Sequence, residues 1–172
     1  MMIRVLSGLS LLALFAVFIP VAPAEDKKEK SEFTMTKDEQ TLLELLNKER
    51  VKKELPPLRP NPLLFKVARA HSANMAKQEK MEHVLDGKNP GQRVLAAGYD
   101  YGKVSENIAV SEGPGAALTV IVKDWMESEI HRENLLSDKV TETGLGIAKN
   151  DKKEVYYTQI FARPRKVLKR RD

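Results

Sequence analysis

The chain has 172 residues, enough for one domain with a single core and too few for a second. It contains no cysteine, which excludes a disulfide-stapled fold and leaves the burial of apolar side chains as the main source of stability. The formal charge is +5, with bases gathered at the C-terminal end and no aromatic residues between them, a pattern that does not suit specific nucleic-acid binding.

Arg4, the apolar run Leu9 to Val21 and the small-x-small triplet Ala22-Pro23-Ala24 have the form of a signal peptide covering residues 1–24. Cleavage after Ala24 is expected, which makes the mature chain secreted, periplasmic or attached to the cell envelope. An uncleaved anchor is the alternative, and it also leaves the domain outside the cytoplasm. Removing residues 1–24 deletes Arg4 and no acid, leaving 28 bases against 24 acids. Residues 25–35, rich in Lys, Glu, Asp and Ser, read as a flexible charged linker. The domain is expected to span residues 36–164 and to be a monomer. Residues 165–172 form a basic tail; with Arg163, it carries Arg165, Lys166, Lys169, Arg170 and Arg171, which can touch an anionic surface by screened electrostatics.

Thr36-Lys37-Asp38-Glu39 has the form of a capping box, and Leu42, Leu43, Leu45, Leu46 and Val51 continue with helical spacing until Pro56-Pro57. Asn61 caps a second helix with Pro62 at its first position. Leu64, Val67, Ala68, His71 and Met75 share one stripe of it, and Ala68, Ala70, Ala73 and Ala76 offer small side chains against which a neighbour can pack closely. Turn residues from Asp86 to Gly91 lead into a short helical piece, Gln92 to Ala97, closed by Gly98. A strand is expected through Glu106 to Val110, then a helix from Ala116 to about Glu127 with Trp125 in the core. Gly144-Leu145-Gly146-Ile147-Ala148, the polar turn Asn150 to Lys153, and Val155 to Phe161 read as a β-hairpin. Helices on a small, mostly antiparallel sheet give an α+β class.

Two of the three histidines, His83 and His131, flank Glu106. Imidazole and carboxylate are the side-chain types that share a divalent metal or trade a proton near neutral pH. Two imidazoles and one carboxylate match an open zinc site, His83, Glu106 and His131 supplying Zn²⁺ or another divalent cation with three ligands. No His-Glu-x-x-His run exists, so only folding can unite them. A hydrogen-bonded cluster that anchors loops and an acid/base site using Glu106, His83 and His131 are the competing readings. His71, on an apolar stripe, reads as a core histidine. Ser72, Ser105 and Ser128 lack a Gly-x-Ser-x-Gly elbow, and a serine hydrolase is not expected. Asn107 and Asn134 suit backbone anchoring of the segments that carry Glu106 and His131.

Taken in order, Leu45-Leu46-Asn47-Lys48-Glu49-Arg50, Ala70-His71-Ser72-Ala73-Asn74-Met75-Ala76, His83, Ala97-Gly98-Tyr99 and Ser105-Glu106-Asn107-Ile108-Ala109 resemble the bacterial branch of the CAP superfamily, or SCP domain. Trp125-Met126-Glu127-Ser128, His131-Arg132-Glu133-Asn134-Leu135-Leu136, Gly144-Leu145-Gly146-Ile147 and Tyr157-Thr158-Gln159-Ile160-Phe161 extend the resemblance from about Thr36 to Pro164. It implies a three-layer α-β-α sandwich with a central cleft into which His83, Glu106 and His131 project. Disulfide-bearing relatives carry two histidines and two glutamates there. This chain has Ser128 where they have glutamate and Tyr156 where they have histidine, with His131 as the replacement imidazole. The expected function is an exported binding module for a divalent cation, an envelope component or a small polar or lipid-like ligand, binding outranking chemistry. An envelope hydrolase working through Glu106 with His83 or His131 is the alternative.

Overall fold

The computed structural model describes residues 33–111 and 117–166. The expected signal peptide, most of the linker and tail, and the start of the Ala116 helix lie outside the described residues.

Helix α1, Lys37–Val51, starts where Thr36 accepts from the Glu39 amide while the Glu39 carboxylate accepts from the Thr36 amide, the reciprocal capping box the sequence predicts. Helix α2, Pro62–Gln78, is capped by Asn61, whose side chain accepts from the amides of Leu63 and Leu64. Helix α3, Pro90–Ala96, has its own capping box, Asn89 with Gln92, and Gly98 follows it at φ +88°. Helices α4, Leu118–Glu127, and α5, Glu129–Leu135, follow; the sequence reading did not foresee the second.

Strands β1, Arg59–Pro60, β2, Tyr101–Ser111, β3, Glu142–Lys149, and β4, Val155–Pro164, form a sheet of order β1-β3-β4-β2. β3 and β4 make the expected hairpin, β2 runs antiparallel to β4, and the short β1 adds a parallel edge to β3. Side-chain alternation along β4 splits the core into two layers. Val155, Tyr157 and Phe161 pack with α1, α4 and α5 through Leu42, Leu46, Trp125 and Leu135. Tyr156, Ile160 and Ala162 face α2, meeting Leu64, Val67, Ala68 and Met75. The fold is α+β with helices on both faces of the sheet.

Gly144 and Gly146 show how close α2 lies to the sheet. A Cβ at Gly144 would overlap the backbone of Leu64, and one at Gly146 the carbonyl of Ala68. The glycines therefore serve helix-on-strand contact. Ser72, fully buried, donates to Gly146 O at 2.9 Å and stands 2.8 Å from Thr158 Oγ1, so its hydroxyl is committed to joining α2 to the hairpin. Ala68 and Ala76 are buried by that contact, whereas Ala70 and Ala73 are exposed.

Two residues of the expected linker, Phe33 and Met35, contact the domain. Phe33 stacks edge-on against Phe65 at 5.0 Å, with the Arg69 guanidinium over both rings, and Met35 packs on the core. One aromatic ring is enough to draw the end of a polar stretch onto the domain.

Candidate functional site

β2 lies at one edge of the sheet, and consecutive residues on it serve opposite faces. Glu106, paired in register with Ile160, looks toward α2, and its side chain is 1% exposed. Its carboxylate is fully engaged. Oε1 accepts from His83 Nδ1 at 2.8 Å, and Oε2 accepts from Arg93 Nη2 at 2.6 Å. Arg93 comes from α3, and its other terminal nitrogen donates to the carbonyls of His83 and Lys88, at 2.9 and 2.8 Å. One guanidinium thus fixes both the acid and the loop that carries its imidazole partner.

His71, from α2, stands on the buried side of the same carboxylate, its Nε2 3.8 Å from Glu106 Oε1 and 3.0 Å from the Glu82 carbonyl. A carbonyl only accepts, so Nε2 carries the proton and donates to it. That leaves Nδ1 a bare acceptor, buried and without a partner among the described residues. Burial holds the His71 pKa below the ordinary imidazole value despite the opposing pull of Glu106. The ring stays neutral near pH 7.

His83 is different. Its ring is half exposed, and Nε2 makes no hydrogen bond among the described residues. With Nδ1–H given to Glu106, this outward nitrogen is a free lone pair. His131, on α5, is half-buried, and burial, then the nearby charge of His83, lowers its pKa. Its helix is tied to β2 through the opposite face of the strand. Asn107 donates to the His131 carbonyl at 2.9 Å, and Asn134 donates to Asn107 Oδ1 at 2.9 Å. The two asparagines therefore anchor the backbone as expected, although what they join is a strand and a helix.

The structure joins His83 to Glu106 directly, with His131 within electrostatic reach of His83. No group of three His, Asp or Glu side chains among the described residues is placed to hold a metal ion. Arg93 occupies one oxygen of Glu106 and His83 the other. Sequence reasoning placed Arg93 in the short helix it predicted but did not single it out as a site residue. It placed His71 correctly in the interior but did not see that the interior there borders Glu106. Acid/base use of Glu106 itself is disfavoured by the same facts, since a carboxylate 1% exposed and doubly hydrogen-bonded cannot reach a substrate proton.

The family model of the cysteine-rich secretory protein (CAP) family matches residues 43–161. The chain is 35% identical over 109 residues to the uncharacterized protein YkwD of Bacillus subtilis, covering 63% of this chain and 41% of that protein. It is 33% identical over 144 residues to the uncharacterized membrane protein YlbC of the same organism, covering 82% of this chain and 39% of that protein. The chain thus spans about two fifths of the length of these curated relatives. Among solved structures, an outer surface protein of Borrelia burgdorferi superposes with TM-score 0.70 at 22% identity, over 77% of this chain and 97% of that one. An extracellular protein of Bacillus anthracis containing an SCP domain superposes with TM-score 0.66 at 25% identity, over 77% of this chain and 45% of that one. No helix among the described residues is long and apolar enough to cross a membrane.

Proposed function

Because the chain belongs to the CAP family, a scaffold whose fold alone does not specify an activity, we propose that it is an exported binding module whose ligand is held by the outward imidazoles of His83 and His131. One observation carries this reading: Glu106 is saturated by its own partners and turns the free Nε2 of a half-exposed His83 away from the protein. A buried carboxylate that orients an imidazole without reaching outward is a support for binding. The ligand in this reading is small and polar, since two imidazoles offer hydrogen-bonding nitrogens held in place by the protein.

The test is a screen of small sugars, amides and carboxylates, read by the side-chain ¹⁵N resonances of the histidines. Binders are expected to shift His83 and His131, and to lose that response in His83→Ala and His131→Ala. A broad screen with no such compound, or with binders indifferent to both variants, would reject the assignment.

The His83–Glu106 pair also favours a second reading. An imidazole with Nδ1–H on a carboxylate and Nε2 free is arranged as a general base for water. Turnover of envelope peptides or glycans that disappears in His83→Ala, and falls without loss of fold in Glu106→Gln, would establish this hydrolase; no turnover across such substrates removes it. Export, with an Ala24 cleavage site, is part of the proposal, supported by the surface and extracellular descriptions of the two solved relatives. Sequencing the N-terminus of the mature protein decides it, Glu25 being the expected first residue.

A further inference from the structure

The three heads around Glu106 Oε1 and Oε2 come from three separate elements, yet the group nearest to a metal ion in charge and position is an arginine. Arg93 Nη2 lies 2.6 Å from Glu106 Oε2, its side chain is 13% exposed, and the same residue pins the His83 and Lys88 carbonyls. Glu106 is buried, so it needs a positive partner, and Arg93 supplies it.

We propose that Arg93 is the resident cation of this cleft and its specificity-determining residue, reserving Glu106 for a guanidinium and so excluding divalent metal from it. The donor atoms decide the matter. Zinc takes deprotonated ligands, usually three from the protein in an open site. Here the Nδ1 proton of His83 is spent on Oε1, Nε2 of His71 is spent on the Glu82 carbonyl, and Oε2 is spent on the guanidinium. Besides the buried Nδ1 of His71, the outward nitrogen of His83 and the imidazole of His131 remain, and none of these comes with a free carboxylate. A metal entering at Glu106 would also meet the guanidinium charge held on that same carboxylate.

This assignment rests on the cleft being the ligand site, and it narrows the ligand: not a divalent cation seated on Glu106, whose charge Arg93 already balances. Its experiment uses zinc chloride and leaves the identity of the ligand aside, so it can fail while the histidine assignment stands, and the reverse.

Calorimetric titration of zinc into the full domain is expected to give weak binding both with and without Glu106→Gln, because Glu106 orients His83 and is not itself a ligand. In Arg93→Met the buried carboxylate loses its partner, and zinc affinity is expected to rise about tenfold or more, the gain vanishing in the double variant with Glu106→Gln. Because Arg93→Met also releases two carbonyls and can unfold the loop, the carboxylate carbon resonance of Glu106 in the unaltered protein is a second readout. It is expected not to move on adding zinc. Tight zinc binding by the unaltered protein that Glu106→Gln abolishes, a displaced Glu106 resonance, or a folded Arg93→Met with no gain would each overturn the proposal.

Discussion

Arg50 tests whether the site is positioned by the helix layer on the far side of the sheet. Its guanidinium belongs to a residue 1% exposed, and it donates to the Pro56 carbonyl at 2.9 Å, to Leu135 O at 2.7 Å and to Ser137 O at 2.9 Å. Two of those acceptors lie at the C-terminal end of α5, the helix of His131, where a cation also suits the helix dipole. Burial lowers the Arg50 pKa and Asp138 pulls it back only in part, so some of what the hydrogen bonds contribute is offset by desolvation. Arg50→Met keeps the apolar stem but leaves three carbonyls without donors, at about 1 kcal/mol each and more for the buried Leu135 oxygen. The expected loss is therefore about 2–4 kcal/mol, or a fall in Tm on the order of 10 °C. Urea unfolding with an unchanged slope should show it, and hydrogen exchange at Leu136 and Ser137 should quicken. Arg50→Lys should retain part of the stability, since one ammonium cannot span all three acceptors. A loss below about 1 kcal/mol, with exchange in α5 untouched, would refute the claim that Arg50 anchors the His131 helix.

The pH dependence follows from two imidazoles. His71 and His131 both have folded-state values below the ordinary 6.5, so the unfolded chain binds more protons below that pH. Stability should be flat above about pH 6.5 and fall as the pH drops below it; urea midpoints rising toward acid would contradict this, and His71→Gln should lessen the fall. Gly146→Ala should cost about 3 kcal/mol or more, since its Cβ meets the Ala68 and Arg69 backbone, and a melting point within a few degrees of the original would show that α2 can shift away. Thr36→Ala should cost about 1 kcal/mol in the same unfolding assay through loss of the capping box, and no change would mean the Phe33 contact alone holds the start of α1.

Much of the fold was legible because local chemistry and tertiary packing agree. Thr36 with Glu39, and Asn61 before Pro62, mark helix starts that nothing in the packing overrides. α5 escaped because its seven residues bury little beyond Leu135, so no apolar period announces it, and β1 escaped because it is two residues long and both are exposed, leaving no apolar alternation to read. In the site, Glu106 and His83 could be singled out as rare residue types in a suggestive order. Arg93 could not, because arginine is common on exposed helix faces and only the fold shows that this one is turned inward. His71 was visible as an inward residue; that its neighbour would be a carboxylate depends on the register of β2 against β4, which no local pattern contains.

That register is the device that assembles the cluster around Glu106. Glu106 opposite Ile160 and Asn107 opposite Gln159 send two neighbouring side chains to opposite faces, the acid to Arg93 and His83, the amide to the backbone of His131. A slip of one residue would exchange them, burying an amide against a guanidinium and sending a carboxylate toward the carbonyl of His131. Both faces would then carry an unpaired polar group, at a cost of about 1–3 kcal/mol each and more for the charge. The slipped state is therefore disfavoured by the same contacts that form the site. Because β2 is the edge strand, with nothing on its outer side among the described residues to fix its register, the Glu106 and Asn107 pairs supply much of what the missing neighbour would have provided. The residues that orient His83 and tie down the His131 helix and the residues that hold the edge of the sheet are the same residues.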